Sequence, residues 1–207
     1  MKRLVVLSGR IGAGKTELAV NLERRYRATI VKSREIIAAL KPTAKDSRDA
    51  LQEGGERLDE STDGRWLADA LAAKNFPDDA FVVVDAVRIL SQVEAIRDRF
   101  GRIVTHIHLT APTDVLASRY HARPRKFREF ETYAEASANP TEAQVESLRD
   151  YCDALIDTSR STNNDVLVRA AARIGLYQLV SGASVDVVVG GEYGSEGKGN
   201  VASYLAP

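Results

Sequence analysis

The chain has 207 residues, 44% of them hydrophobic, which is enough for one good-sized domain with a buried core and too apolar for global disorder. Lysines and arginines, 29 together, balance 29 aspartates and glutamates, so the basic footprint of a bulk nucleic-acid binder is missing. The single cysteine, Cys152, excludes an internal disulfide and a cysteine metal cluster, and no apolar stretch approaches a membrane span. The expectation is a cytoplasmic protein with small-molecule partners, no nucleic acid and no membrane; the sequence leaves its oligomeric state open.

Leu4 to Leu7 suits a strand buried on both faces, and it runs into glycines too soon for a signal peptide. After the glycine loop a helix spans about Lys15 to Arg25, with Leu18, Leu22 and Tyr26 at every fourth position. Thr29 to Val31 reads as a second strand, and Arg34 to Leu40 as a helix stopped by Pro42. Asp49 to Glu60 and Asp63 to Lys74 read as helices, the first weakened by Gly54 and Gly55. Phe81 to Asp85 is an apolar strand ending in a carboxylate. Ser91 to Phe100 is a helix closed by Gly101, Ile103 to Leu109 a strand, and Thr113 to His121 a helix begun after Pro112.

Arg123 to Asn139 is charged and poor in aliphatics, and reads as a mobile excursion. Thr141 to Tyr151 is a helix, Ala154 to Ile156 a short strand, and Asn164 to about Val180 a helix. Strands alternating with helices predict an α/β fold, a parallel sheet flanked by helices on both faces. That domain covers residues 1–180. Ser181, Gly182, Ala183 and Ser184 read as a linker, and residues 185–207 as the start of a second domain.

Gly9-Arg10-Ile11-Gly12-Ala13-Gly14-Lys15-Thr16 fits the phosphate-loop pattern without a mismatch, between an apolar strand and a helix. Glycines let successive N–H groups converge on phosphate oxygens, and the helix turns its positive end to the anion. Lys15 brings a point charge to the outer phosphates, and Thr16 a hydroxyl to Mg²⁺. Asp85, at a strand's end, is placed either for Mg²⁺ and its water, for a substrate proton, or simply to cap the next turn. His106 and His108 alternate on one strand and read as packed or hydrogen-bonded residues, Trp66 as helix core or else a wall of an acceptor-base pocket, and Cys152 as a small inert hydrophobe.

With these motifs, residues 1 to about 178 resemble the P-loop nucleoside-monophosphate kinases, nearest to the deoxynucleoside-monophosphate kinase and dephospho-coenzyme A kinase branches. The features that carry the resemblance are Leu7-Ser8-Gly9 through Thr16, Val84-Asp85-Ala86-Val87-Arg88, the Arg119 to Arg128 cluster, and Ala154-Leu155-Ile156-Asp157-Thr158. The resemblance implies ATP and Mg²⁺ as cofactors, held by Gly9, Gly12, Ala13, Gly14, Lys15, Thr16 and Arg119, with Thr16 and Asp85 toward the metal. It implies Lys15, Asp85, Arg88 and Arg123 at the reacting phosphoryl group. Arg34, Arg88, Arg125 and Arg128 would grip the acceptor, and Arg119, Arg123, Arg125 and Arg128 belong to an arginine-bearing lid. Guanidinium groups suit that work because they fork onto phosphate oxygens and stay charged; the ordinary alternative for each is a solvated surface charge. The implied activity is phosphoryl transfer to a nucleoside or deoxynucleoside monophosphate. The rivals are a nucleotide-sensing module without turnover, and a kinase of another acceptor such as dephospho-coenzyme A.

A second glycine loop, from Val187 through Gly190, Gly194, Gly197, Lys198 and Gly199 to Asn200, resembles the N-terminus of adenylosuccinate synthetase, a GTP-dependent ligase. That family usually carries an aspartate where this chain has Ser195, and serine is neither a carboxylate base nor a strong ligand for a hard cation. The departure resembles variant synthetases that act on a guanine nucleotide.

Overall fold

The computed structural model describes residues 1–41, 48–122, 132–138 and 140–176. Five parallel strands form one sheet: β1 (Arg3–Ser8), β2 (Thr29–Lys32), β3 (Phe81–Asp85), β4 (Val104–Thr110) and β5 (Ala154–Asp157). Their order across the sheet is β2-β3-β1-β4-β5. Parallel neighbours need crossovers, and helices supply them: α1 (Lys15–Tyr26), α2 (Ser33–Leu40), α3 (Arg48–Thr62), α4 (Arg65–Ala73), α5 (Leu90–Phe100), α6 (Thr113–Ala122), α7 (Tyr133–Ser137) and α8 (Pro140–Ser147); α9 (Asn163–Ile174) follows β5. These elements belong to a compact unit of Met1–Leu176; residues 177–207, with the linker, the second glycine loop, Ser195 and Lys198, lie outside the described residues.

The alternation of side chains along β1 explains why its apolar run is continuous. Val5 and Leu7 face a core shared with Leu18 and Leu22 of α1, Leu116 of α6 and Val166 of α9. Leu4 and Val6 face the opposite core, with Ile36, Leu58, Trp66, Val93 and Ile96. A central strand covered on both sides has no polar face to show. Because β1 lies between β3 and β4, the loops after β1, β3 and β4 open at one edge of the sheet. That reversal of strand order is where open α/β sheets bind ligands.

Several boundaries differ from the sequence reading. Gly54 and Gly55 do not weaken α3 visibly: both are buried inside it, and a Cβ on Gly55 would stand 3.2 Å from Ile37 Cδ1. The smallness of Gly55 lets α2 approach α3, a gain that offsets poor helix propensity. The helix expected over Thr141 to Tyr151 is α8 followed by a tight 3-10 turn, Leu148–Tyr151. The last helix stops at Ile174, not near Val180. Gly175 takes the left-handed conformation, and Leu176 N–H closes on Ala171 O at 2.9 Å. The expected mobile excursion is also corrected in part, since Thr132 and Glu135 form a capping box for α7 and Tyr133 is buried in the core. Residues 123–131 and 139, including Arg123, Arg125 and Arg128, lie outside the described residues.

Candidate active site

β1 delivers the chain to the carboxyl ends of the strands at Ser8, and α1 begins at Lys15. Between them the loop is pinned by its neighbours. Gly9 has φ +135°, and any Cβ there would collide with Leu109 O of β4. A Cβ on Gly12 would come within 2.9 Å of Leu116 O, so α6 packs directly on the loop. Ala13 N–H closes a turn on Arg10 O at 3.1 Å. Lys15 Nζ donates to Gly9 O at 2.6 Å and Arg10 O at 2.9 Å, so its ammonium arches over the loop that it follows.

Asp85 reaches the loop from β3. Its backbone is in register with Leu7 of β1, and the next turn is tied by Val87 N–H to Leu7 O at 3.0 Å. The side chain accepts from Thr16 Oγ1 at 2.8 Å. A hydroxyl and a carboxylate are hard oxygen donors, and the described residues hold no group of three or more histidine, cysteine or acidic side chains fit for a metal. A pair of oxygens beside a phosphate cradle fits Mg²⁺, which takes few protein ligands and completes its octahedron with phosphates and water.

Arg119, on α6, also lies at the loop. Its guanidinium donates to Thr158 Oγ1 at 2.8 Å, Thr158 O at 2.6 Å and Gly12 O at 3.4 Å. Thr158 Oγ1 lies 3.3 Å from Ala13 O and 3.2 Å from Thr110 O. Thr158 thus joins β4, α6 and the phosphate loop, a role that spacing alone does not reveal.

Arg88 sits half-buried just past Asp85. Its N–H donates to Gln92 Oε1 at 2.9 Å, while Gln92 Nε2 donates to Asp59 Oδ1 at 2.8 Å. Trp66 Nε1 donates to the same oxygen at 2.6 Å. Burial pushes the Asp59 carboxyl above its usual range, while these two donors and then the Arg88 charge oppose the shift. Asp59 and Gln92 escape a sequence reading because each looks like an ordinary polar residue on an amphipathic helix. Arg34, by contrast, is exposed on the first turn of α2 and makes no bond among the described residues.

His106 and His108 are buried on one face of β4, bonded to Ser8 Oγ at 2.6 and 2.9 Å, as packed strand residues should be. Hydrogen-bond roles follow from the chain of contacts. His106 Nδ1 faces Tyr151 O at 3.4 Å and must donate, so His106 Nε2 accepts from the Ser8 hydroxyl, and Ser8 Oγ accepts from His108 Nδ1. His108 Nε2 is left buried without a partner among the described residues. Burial lowers both imidazoles to about 4.

A family model described as an AAA domain matches residues 5–139. No curated protein matches the chain. Among solved structures, a sugar kinase from Janibacter is similar at 17% identity, over 84% of this chain and 95% of that one, with a TM-score of 0.58. The tunicamycin resistance protein of Deinococcus radiodurans is similar at 21% identity, over 84% and 96%, with a TM-score of 0.58. A gluconokinase from Sinorhizobium meliloti is similar at 16% identity, over 84% and 93%, with a TM-score of 0.56. At such identities the likeness is one of fold: an α/β sheet of the P-loop kinase kind.

Proposed function

The chain belongs to the AAA-domain family, and from that premise we propose that it is a phosphotransferase, moving the γ-phosphoryl of ATP, with Mg²⁺, to a nucleoside or deoxynucleoside monophosphate. The observation that carries this reading is the Thr16–Asp85 hydrogen bond at the foot of the phosphate loop, with Arg88 three residues beyond the carboxylate. Gly9, Gly12, Ala13 and Gly14 shape the cradle, Lys15 neutralises outer phosphate charge, and Arg119 braces the loop from α6. Mg²⁺, held by Thr16 and Asp85, would supply charge neutralisation at the phosphates. Arg88, whose backbone N–H is held by Gln92 and through it by Asp59, is proposed as an acceptor-side cation. Arg34, Arg123, Arg125 and Arg128 are proposed for the acceptor and lid from the sequence resemblance alone. The same holds for residues 185–207 as the start of a GTP-dependent, adenylosuccinate synthetase-like ligase.

A second acceptor class is favoured by two of the structural neighbours, a sugar kinase and a gluconokinase. Both acceptors offer a nucleophilic oxygen, and a phosphate-bearing one would use Arg88 as its grip. The deciding experiment follows ADP release from MgATP against a panel of nucleoside monophosphates, dephospho-coenzyme A, sugars and gluconate. Turnover confined to monophosphates supports the first acceptor. Nucleotide binding without ADP release on any acceptor would replace the kinase by a sensing module.

A further inference from the structure

One buried acid touches the phosphate loop and has no part in the chemistry above. Glu142, in the first turn of α8, accepts the Ile11 N–H on Oε2 at 3.1 Å, across 131 residues of chain. Its side chain is 5% exposed. Removing a carboxylate from water is costly unless donors meet it, and a charge-assisted bond to a main-chain N–H is the compensation found among the described residues. Ile11 is itself buried in the core, so its N–H also needs a partner inside the protein.

The adjacent residue is held from the same side. The Arg10 guanidinium lies 5.7 Å from the centre of the Tyr133 ring, and that ring, buried on α7, meets Tyr120 of α6 edge-on at 5.9 Å. Two consecutive residues at the crown of the loop are therefore gripped by α7 and α8, while Arg10 O also closes the turn to Ala13 and receives Lys15 Nζ. The Ile11–Glu142 bond ties this turn to α8.

We propose that Glu142 is a positioning residue for nucleotide binding: its carboxylate holds the Ile11 N–H and so pre-forms the crown of the phosphate loop. The proposal rests on the nucleotide-binding reading above. Without Glu142, the crown would be ordered only on binding, and that ordering entropy would be subtracted from the affinity.

The experiment is calorimetric titration of wild type, Glu142→Gln and Glu142→Ala with MgATP and MgADP, with hydrogen exchange followed at the Ile11 amide. Glutamine keeps an oxygen for Ile11; alanine does not. The expected result is an affinity loss of about tenfold in Glu142→Ala and of no more than about threefold in Glu142→Gln. Exchange at Ile11 should speed up only in the alanine variant. If Glu142→Ala fails to fold, Glu142→Asp takes its place, because it withdraws the oxygen by one methylene and should show the same loss. Wild-type affinity in Glu142→Ala, or equal losses in Glu142→Ala and Glu142→Gln, would overturn the role of Glu142. A wild-type protein that binds neither nucleotide would overturn the nucleotide reading with it.

Discussion

Thr16 Oγ1 donates to Asp85 Oδ2 at 2.8 Å, joining the first turn of α1 to the end of β3. The bond brings a hydroxyl and a carboxylate together beside the loop, in the arrangement that a phosphate-bound Mg²⁺ needs. Asp85→Asn keeps the size and the oxygen acceptor but removes the charge. Turnover should fall on the order of a hundredfold, while ATP affinity changes little, because metal charge matters most in the transition state. Steady-state rates and calorimetry on the same preparation check this; equal turnover would reduce Asp85 to a strand-end residue.

Lys15 arches back to Gly9 O and Arg10 O, so its removal withdraws one donor from each at a partly exposed loop, with Arg10 O still held by Ala13 N–H, instead of opening the core. Lys15→Ala should therefore keep its thermal midpoint near that of wild type. Its affinity for MgATP should drop about 10- to 100-fold, the value of a charge-assisted contact to phosphate. Unchanged affinity would remove the phosphate-loop assignment.

Asp59→Ala tests the acceptor side. It strands Trp66 Nε1 and Gln92 Nε2 in a largely buried place, and a stability loss of about 2–3 kcal/mol is expected in urea unfolding. Gln92 would no longer hold the Arg88 backbone, so the Michaelis constant for the acceptor should rise while that for ATP stays. Asp59→Asn, which keeps the Oδ1 acceptor that both donors share, should lose less on both measures. An acceptor constant unmoved in Asp59→Ala would leave the network a purely structural link between α3, α4 and α5.

The two histidines predict an acid-sensitive fold. Above pH 6.5 both imidazoles are neutral folded or unfolded. Between about pH 6.5 and 4 the unfolded chain binds protons that the native pair excludes, so stability falls as pH falls; below about 4 the native state binds them too and this loss is complete. The neighbouring Lys15, Arg97 and Arg149 charges act with burial, while Asp153 opposes it. Thermal melts from pH 8 to 4 should show this decline, about 2–3 kcal/mol for one such histidine. His106→Gln, less stable at pH 8, should flatten it. Parallel curves for variant and wild type would count against the buried pair as its source.

The fold and the glycine loop with its flanking elements were legible in local sequence because each depends on short-range physics. An apolar run such as Val82 to Val84 suits a buried strand, and glycines between strand and helix suit a tight loop with converging N–H groups. Strand order and partnership were not legible. Asp59 and Gln92 stand 33 residues apart and Ile11 and Glu142 131 apart, and each is an unremarkable polar residue until the sheet order β2-β3-β1-β4-β5 folds them together. The helix ends behaved in the same way. Gly54 and Gly55 weaken a helix by propensity, but α3 runs through both and packs Gly55 against Ile37 of α2, whereas the left-handed Gly175 ended α9 before its apolar periodicity did. Sequence alone determined the strands, the glycine loop and the charged groups set along them; tertiary structure decided which of those groups meet one another, because partners distant in the chain are selected by packing and by the cost of leaving a buried polar group alone.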